Sequence, residues 1–185
     1  MRPEAMPIRA ECPEPWRWSA PDDFATEAEV SAFLGDLVRV LKPATVIETG
    51  SYLGYTAQAI GRALALVGGT LVTLEVDGDR AAAAAGRCAG LPVTVLAQSS
   101  LTYTPTALID VLFLDSEFET RMPELRHFRP YASPRCVVVL HDSAPTTYPG
   151  WELLDQGMRA VVADGIVQPW LTLPTPRGVG LTRYR

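Results

Sequence analysis

Glu48, Gly50, Gly54 and Glu75 combine residue types and a spacing that suit a nucleoside ligand. Glu48 opens the run Glu48-Thr-Gly-Ser-Tyr-Leu-Gly-Tyr-Thr56, and Glu75 lies 75 − 54 = 21 positions beyond Gly54. Glycines let a backbone approach a ligand, and an acidic side chain about 20 positions further on can accept hydrogen bonds from ribose hydroxyls. Tyr52 and Tyr55 stand where a dinucleotide fingerprint would place its second and third glycines, and the chain has no Gly-Lys-Ser/Thr. Neither a pyrophosphate cradle nor a phosphate loop is therefore present. Turn and packing glycines are the plainer alternative.

Asp115, His141 and Asp142 form a second group, in Asp115-Ser-Glu117 and His141-Asp142-Ser143, each directly after an apolar run. Two carboxylates and an imidazole could hold Mg²⁺, which orients a hydroxyl and lowers its pKa. His141 could instead act as a general base, since an unperturbed imidazole titrates near pH 6.5. The two roles compete for one nitrogen. Asp115 could also simply cap a helix, and Glu117 and His127 read as surface or supporting residues.

Alternating elements position both groups. Thr45 to Glu48, Thr70 to Glu75, Pro92 to Leu96, Ile109 to Leu114 and Cys136 to Leu140 read as strands, with helices over about residues 55–67, 79–89 and 151–163. Ala28, Phe33, Leu34, Leu37, Val38 and Leu41 recur at helical spacing behind Thr26, the expected N-cap, and Pro43 stops that helix. Val167 to Leu173 and Gly178 to Tyr184 close the chain as an antiparallel hairpin. The expected fold is α/β, a doubly wound, mostly parallel seven-stranded sheet ending in that hairpin, with ligands at the carboxyl ends of the strands. A ligand with ribose, no phosphates and an amino group attracted to Glu48 is implied, and S-adenosylmethionine has that chemistry.

Residues 1–21 carry Pro3, Pro7, Pro13, Pro15 and Pro21 and read as a proline-rich arm, with the folded domain over 22–185. Trp16 and Trp18 in the arm are expected to pack on the body or on a second copy in a homodimer. Tyr148, Trp151 and the arm tryptophans stand where an acceptor pocket needs walls.

Composition narrows the classes. With 16 Lys and Arg against 21 Asp and Glu the net charge is −5, and no basic run offers the footprint of a nucleic-acid binder. No apolar run is long enough to span a membrane and no secretory signal opens the chain, so a cytoplasmic protein is expected. Cys12, Cys88 and Cys136 are odd in number and far apart, which predicts buried thiols rather than disulfides or zinc ligands. Arg177, Arg183 and Arg185 read as a solvated face.

The run from Glu48 to Thr56 resembles the first motif of class I S-adenosylmethionine-dependent methyltransferases, in particular the small-molecule O-methyltransferases of the catechol type. The resemblance covers about residues 26–185. It implies a Rossmann-like methyltransferase fold in which Glu48 and the Gly50 to Gly54 loop hold the methionine part, with Tyr52 and Thr56 lining it. Glu75 would bind the ribose and Gln98 and Ser99 would flank the adenine, with Asp115 at the edge of the cofactor. Catechol-type enzymes place an aspartate at each of the strand ends held here by Asp115 and Asp142. The asparagine that follows the second is Ser143 here, and Phe118 stands where their lysine base would be. The His141-Asp142 pair is closer to a group acting on sugars and antibiotic scaffolds. The implied activity is methylation of a hydroxyl on a small-molecule acceptor, with Mg²⁺ as an optional partner. A metal-independent N- or C-methyltransferase and a non-catalytic S-adenosylmethionine-binding module are the alternatives.

Overall fold

The β-branched residues Thr45, Val46, Ile47 and Thr49 favour the central strand β1 (Thr45–Thr49), preceded by helix α1 (Ala28–Leu41). The order continues with α2 (Tyr55–Val67), β2 (Thr70–Glu75), α3 (Gly78–Arg87), β3 (Val93–Ala97), β4 (Ile109–Leu114), α4 (Phe118–Phe128), β5 (Ala132–His141), α5 (Trp151–Ala163), β6 (Leu171–Leu173) and β7 (Val179–Thr182). This computed structural model describes residues 9–146 and 149–185. The first eight residues of the arm and Tyr148 lie outside them.

The seven strands pair in the order β3-β2-β1-β4-β5-β7-β6. All pairs from β3 to β5 are parallel, and β7 runs antiparallel to both β5 and β6. The chain leaves β1 toward β2 on one side and returns to β4 on the other, so the strand order reverses between β1 and β4. A crevice opens at such a reversal, beyond the carboxyl ends of the strands.

Buried side chains fall into two clusters, one on each face. Ile47, Leu112, Leu114, Val138 and Leu140 face α4 and α5, meeting Leu125, Phe128, Leu154 and Val161. Val46, Leu71, Val111, Phe113 and Val139 face α1 and α2, meeting Leu34, Val38, Ile60 and Leu64. Continuous apolar strands are what burial on both faces requires. Fully burying a side chain such as Phe113 or Phe128 contributes about 1.5 to 3 kcal/mol.

One expectation needs correction and one helix was not anticipated. Thr26 is not the cap of α1: Glu27 holds that position without a side-chain cap bond, and the Thr26 hydroxyl donates instead to Asp115. In the arm Trp18 is half-buried and Trp16 is 56% exposed, while Cys12 and Pro15 are buried. Residues 118–128 form a helix that hydrophobic spacing does not announce, because Pro123 interrupts it and charged residues crowd it. The three cysteines are free and buried, as expected. No helix among the described residues is long and apolar enough to cross a membrane.

Candidate active site at the strand ends

The loop after β1 is shaped by glycines whose first duty is packing. Gly50 and Gly54 both have left-handed backbones, φ 78° and 80°. A Cβ at Gly50 would collide with the Asp115 carbonyl oxygen, and one at Gly54 would sit 2.8 Å from Ala84 Cα of α3. The loop is thereby drawn against β4 and α3 at the mouth of the crevice. Glu75 fixes its outer side, accepting from Tyr52 N at 2.9 Å and from Asp77 N at 3.1 Å. Tyr52, also left-handed at φ 47°, donates its hydroxyl to Asp22 at 3.2 Å while the Arg80 guanidinium lies 5.2 Å from its ring centre.

Glu48 sits beneath this loop, buried and accepting from Thr73 Oγ1 at 2.5 Å. Burial pushes its carboxyl up to about 8 against the Thr73 hydrogen bond, and the Asp115 and Glu75 charges push the same way. Glu48 is therefore neutral at pH 7. Thr56 turns its hydroxyl to Ser31 of α1 at 3.3 Å, which makes it part of the α1–α2 contact. Gln98 and Ser99 follow β3 and are half-buried. Among the described residues, no hydrogen bond joins their side chains to the loop. Ser51 Oγ, within the loop, is buried without a partner.

Asp115, His141 and Asp142 do come together, with candidate ligand atoms all within 4.8 Å of one another. Their surroundings decide what they can do. His141 is fully buried, its Nδ1 3.0 Å from Asp115 Oδ1 and its Nε2 2.7 Å from Glu27 Oε2. Between two carboxylates both ring nitrogens must donate. Burial alone would lower its pKa, but the carboxylates of Asp142, Asp115 and Glu27 outweigh it and raise it to about 10. His141 is thus an imidazolium with no lone pair free for a proton or a metal, which corrects the expectation that it is the base. Asp142, left-handed at φ 53°, accepts from Arg177 Nε at 2.5 Å and from Arg121 Nη2 at 2.9 Å. Burial would raise its pKa, yet His141, Arg177 and Arg121 hold it far below the usual carboxylate range.

Each carboxylate oxygen that this set offers a divalent ion already accepts from a side chain of the protein. Asp115 Oδ1 takes Arg121 Nη2 at 3.3 Å as well as His141, and its Oδ2 takes Thr26 at 2.7 Å. As they stand, the residues expected to bind Mg²⁺ do not fit it.

Several residues that build this site were missed in the sequence. Arg121, buried in α4, links the ends of β4 and β5 through Ser116 O and His141 O, both at 2.6 Å. Arg177 is not on a solvated face: besides Asp142 it donates to Ala25 O at 3.0 Å. Glu124 is buried and accepts from Thr49 at 2.9 Å, from Ser116 at 2.7 Å and from Ser100, tying three strand ends together. Its carboxyl is pushed up by burial in spite of those hydroxyls. The available signal was position, since Arg121 and Glu124 lie on the helix that leaves the same end of the sheet. Glu117 is exposed, and His127 bonds Tyr103 O at 2.8 Å at the far end of α4, away from the crevice.

Solved structures share this architecture. A methyltransferase from Podospora anserina bound to SAH is 19% identical with a TM-score of 0.79, over 90% of this chain and 82% of that one. An O-methyltransferase of tomaymycin synthesis from Streptomyces achromogenes, in complex with SAM, is 22% identical with a TM-score of 0.72, over 88% and 82%. An O-methyltransferase from Bacillus cereus in complex with SAH is 19% identical with a TM-score of 0.73, over 89% and 84%. At such identities the likeness is one of fold. No curated protein matches the chain. A family described as "Methyltransferase domain" matches residues 47–143, more than half of the sequence and the stretch that runs from β1 through the Asp142 turn. The chain belongs to this family of methyltransferase domains.

Proposed function

We propose that this chain transfers a methyl group from S-adenosylmethionine to a hydroxyl of a small molecule. The observation that carries the reading is the convergence of Glu48, Glu75 and Asp115 on the Gly50 to Gly54 loop at the β1/β4 reversal. Three carboxyl groups, one of them forced to keep its proton, suit a ligand that brings positive charge. The unpartnered Ser51 hydroxyl is a further polar group such a ligand can satisfy. Structures of the same fold hold SAM or SAH, and two of those named are O-methyltransferases.

When bound, S-adenosylmethionine supplies a methyl group on a sulfonium, open to displacement by an acceptor oxygen. The chain's residues bind and align. Glu48 and the loop backbone face the amino acid part, Glu75 faces the ribose, and Gln98 and Ser99 flank the base at the end of β3. Tyr52 and Asp115 border the reacting region. Holding two reactants in line can supply about 7 to 11 kcal/mol of the barrier, so positioning is the main contribution. The acceptor is a small molecule and not a nucleic acid, in keeping with a net charge of −5. The domain runs over 22–185, with residues 1–21 as an arm that covers the acceptor side or a homodimer contact, in a cytoplasmic protein.

Calorimetry with S-adenosylmethionine and its demethylated product tests the binding, and labelled methyl transfer to small alcohols and phenols tests the reaction. Glu75→Ala should weaken binding by about 1 to 3 kcal/mol through lost charge-assisted hydrogen bonds. Unchanged affinity would remove the ribose assignment. Binding without transfer to any oxygen, nitrogen or carbon acceptor would favour a non-catalytic module.

A further inference from the structure

We propose that Arg121 and Arg177 are the resident cations of this crevice, occupying the place between Asp115 and Asp142 where a divalent ion would be held, and that the chain works without a metal. The inference rests on the proposed methyl transfer for its reaction, but the placement of the cations stands on geometry alone. Arg121 pairs with Asp115 at 3.3 Å and with Asp142 at 2.9 Å, and Arg177 pairs with Asp142 at 2.5 Å. Two guanidinium groups thus already face the two carboxylates that a divalent ion would need.

The donors around Arg121 select a guanidinium rather than a sphere. Its Nε and Nη1 reach the carbonyls of Ser116 and His141 while Nη2 lies between two carboxylates, a planar spread of donors that matches the fork of an arginine. Mg²⁺ would need carboxylate oxygens at about 2.0 to 2.1 Å in an octahedral shell completed by water. To reach that shell, the ion would have to expel a guanidinium only 5% exposed and leave it without its partners. Stranding a buried charge is among the most unfavourable single changes in a protein interior. Arg177 closes the other side of Asp142 and ties it to the backbone of Ala25. Both arginines are thus positioning residues: they hold the two carboxylates at the ends of β4 and β5 and thereby the edge of the reaction space.

Mn²⁺ titration of the purified chain, followed by the resonance signal of the free ion with and without the demethylated cofactor, tests the placement directly. The expected result is no stoichiometric uptake, together with full turnover in excess chelator. One ion taken up per chain and lost in Asp142→Asn would overturn the proposal, as would turnover that collapses in chelator and returns with Mg²⁺. Arg121→Met should raise the acceptor KM and lower kcat while leaving cofactor affinity near normal, and Arg121→Lys should recover part of the loss. Equal damage in both variants to cofactor affinity and turnover alike would reduce Arg121 to a structural residue and overturn its positioning role. Should Arg121→Met fail to fold, the wild-type titration still decides. A chain that fails to bind the demethylated cofactor loses the proposed function, whereas the Mn²⁺ result bears on the cations either way.

Discussion

Glu48 keeps its proton at neutral pH because burial and the neighbouring Asp115 and Glu75 charges outweigh the hydroxyl of Thr73. A ligand that sets an ammonium group beside it would reverse that balance and draw the carboxyl below its free value of about 8. Binding of S-adenosylmethionine at pH 7 should then release a proton, up to about one per site, and release none well above pH 8 where Glu48 is already ionised. Calorimetry in buffers of different ionisation heat reads this number. Heats that do not depend on the buffer at pH 7 would show that Glu48 never meets the amino group. His141 presents the opposite case, since its raised pKa of about 10 makes it an imidazolium across the neutral range. The chain has two histidines, so their ring protons can be followed separately by NMR. One should stay unshifted from pH 5 to about 8, as a group with its pKa near 10 must. Two rings titrating near pH 6.5 would sink the sandwich of His141 between Asp115 and Glu27.

At the level of elements, the strands and most helices were legible because each carries its own local pattern. The helix expected over 151–163 coincides with α5, and β-branched runs mark β1 to β5. The Glu48, Gly50 and Glu75 constellation was legible too, since strand ends and a fixed spacing place it. What could not be read were contacts made across the chain. The segment Asp22 to Glu27, between the arm and α1, reaches Tyr52, Asp115 and His141, the last of them 114 positions away from Glu27. No periodicity marks such a strap, and Thr26 looks like any helix cap. Arg177 was misread for the same reason, as its partners lie just after β5 and on the strap. Glu27 is the strap's buried anchor, with one oxygen on His141 and the other unpartnered. Glu27→Ala should therefore lower stability by about 3 to 5 kcal/mol, the usual result of removing one member of a buried pair. Denaturant melts measure it; a loss below 1 kcal/mol would mean that the strap rests lightly on the site.

For the molecule as a whole, these displaced groups act on stability with different signs and so set its pH profile. Asp110, at the opposite end of the sheet, resists burial through Arg135, Ser133 and the amide of Ala44, which hold its carboxyl down at about 2. Its folded pKa lies below the unfolded value of about 3.9, so its contribution is present above pH 4 and is lost as pH falls through 2. Asp142 and Glu27, also held low, add to the same acid limb. Glu48 works the other way: a folded pKa near 8 against about 4.3 unfolded means that the native state keeps a proton the unfolded chain gives up, so stability declines between those values. His141, raised from about 6.5 to about 10, contributes fully below pH 6.5 and loses its contribution as pH rises through 10. The signs place the maximum on the acidic side of neutral, between about pH 4 and 6.5. Unfolding free energies measured from pH 2 to 10 should show that maximum. Asp110→Asn should flatten the limb below pH 4, and Glu48→Gln should flatten the decline from pH 5 to 8 and be the more stable protein at pH 8. A maximum above pH 8 in the wild type, or a Glu48→Gln variant that declines as steeply as the parent, would contradict a neutral carboxyl beneath the glycine loop.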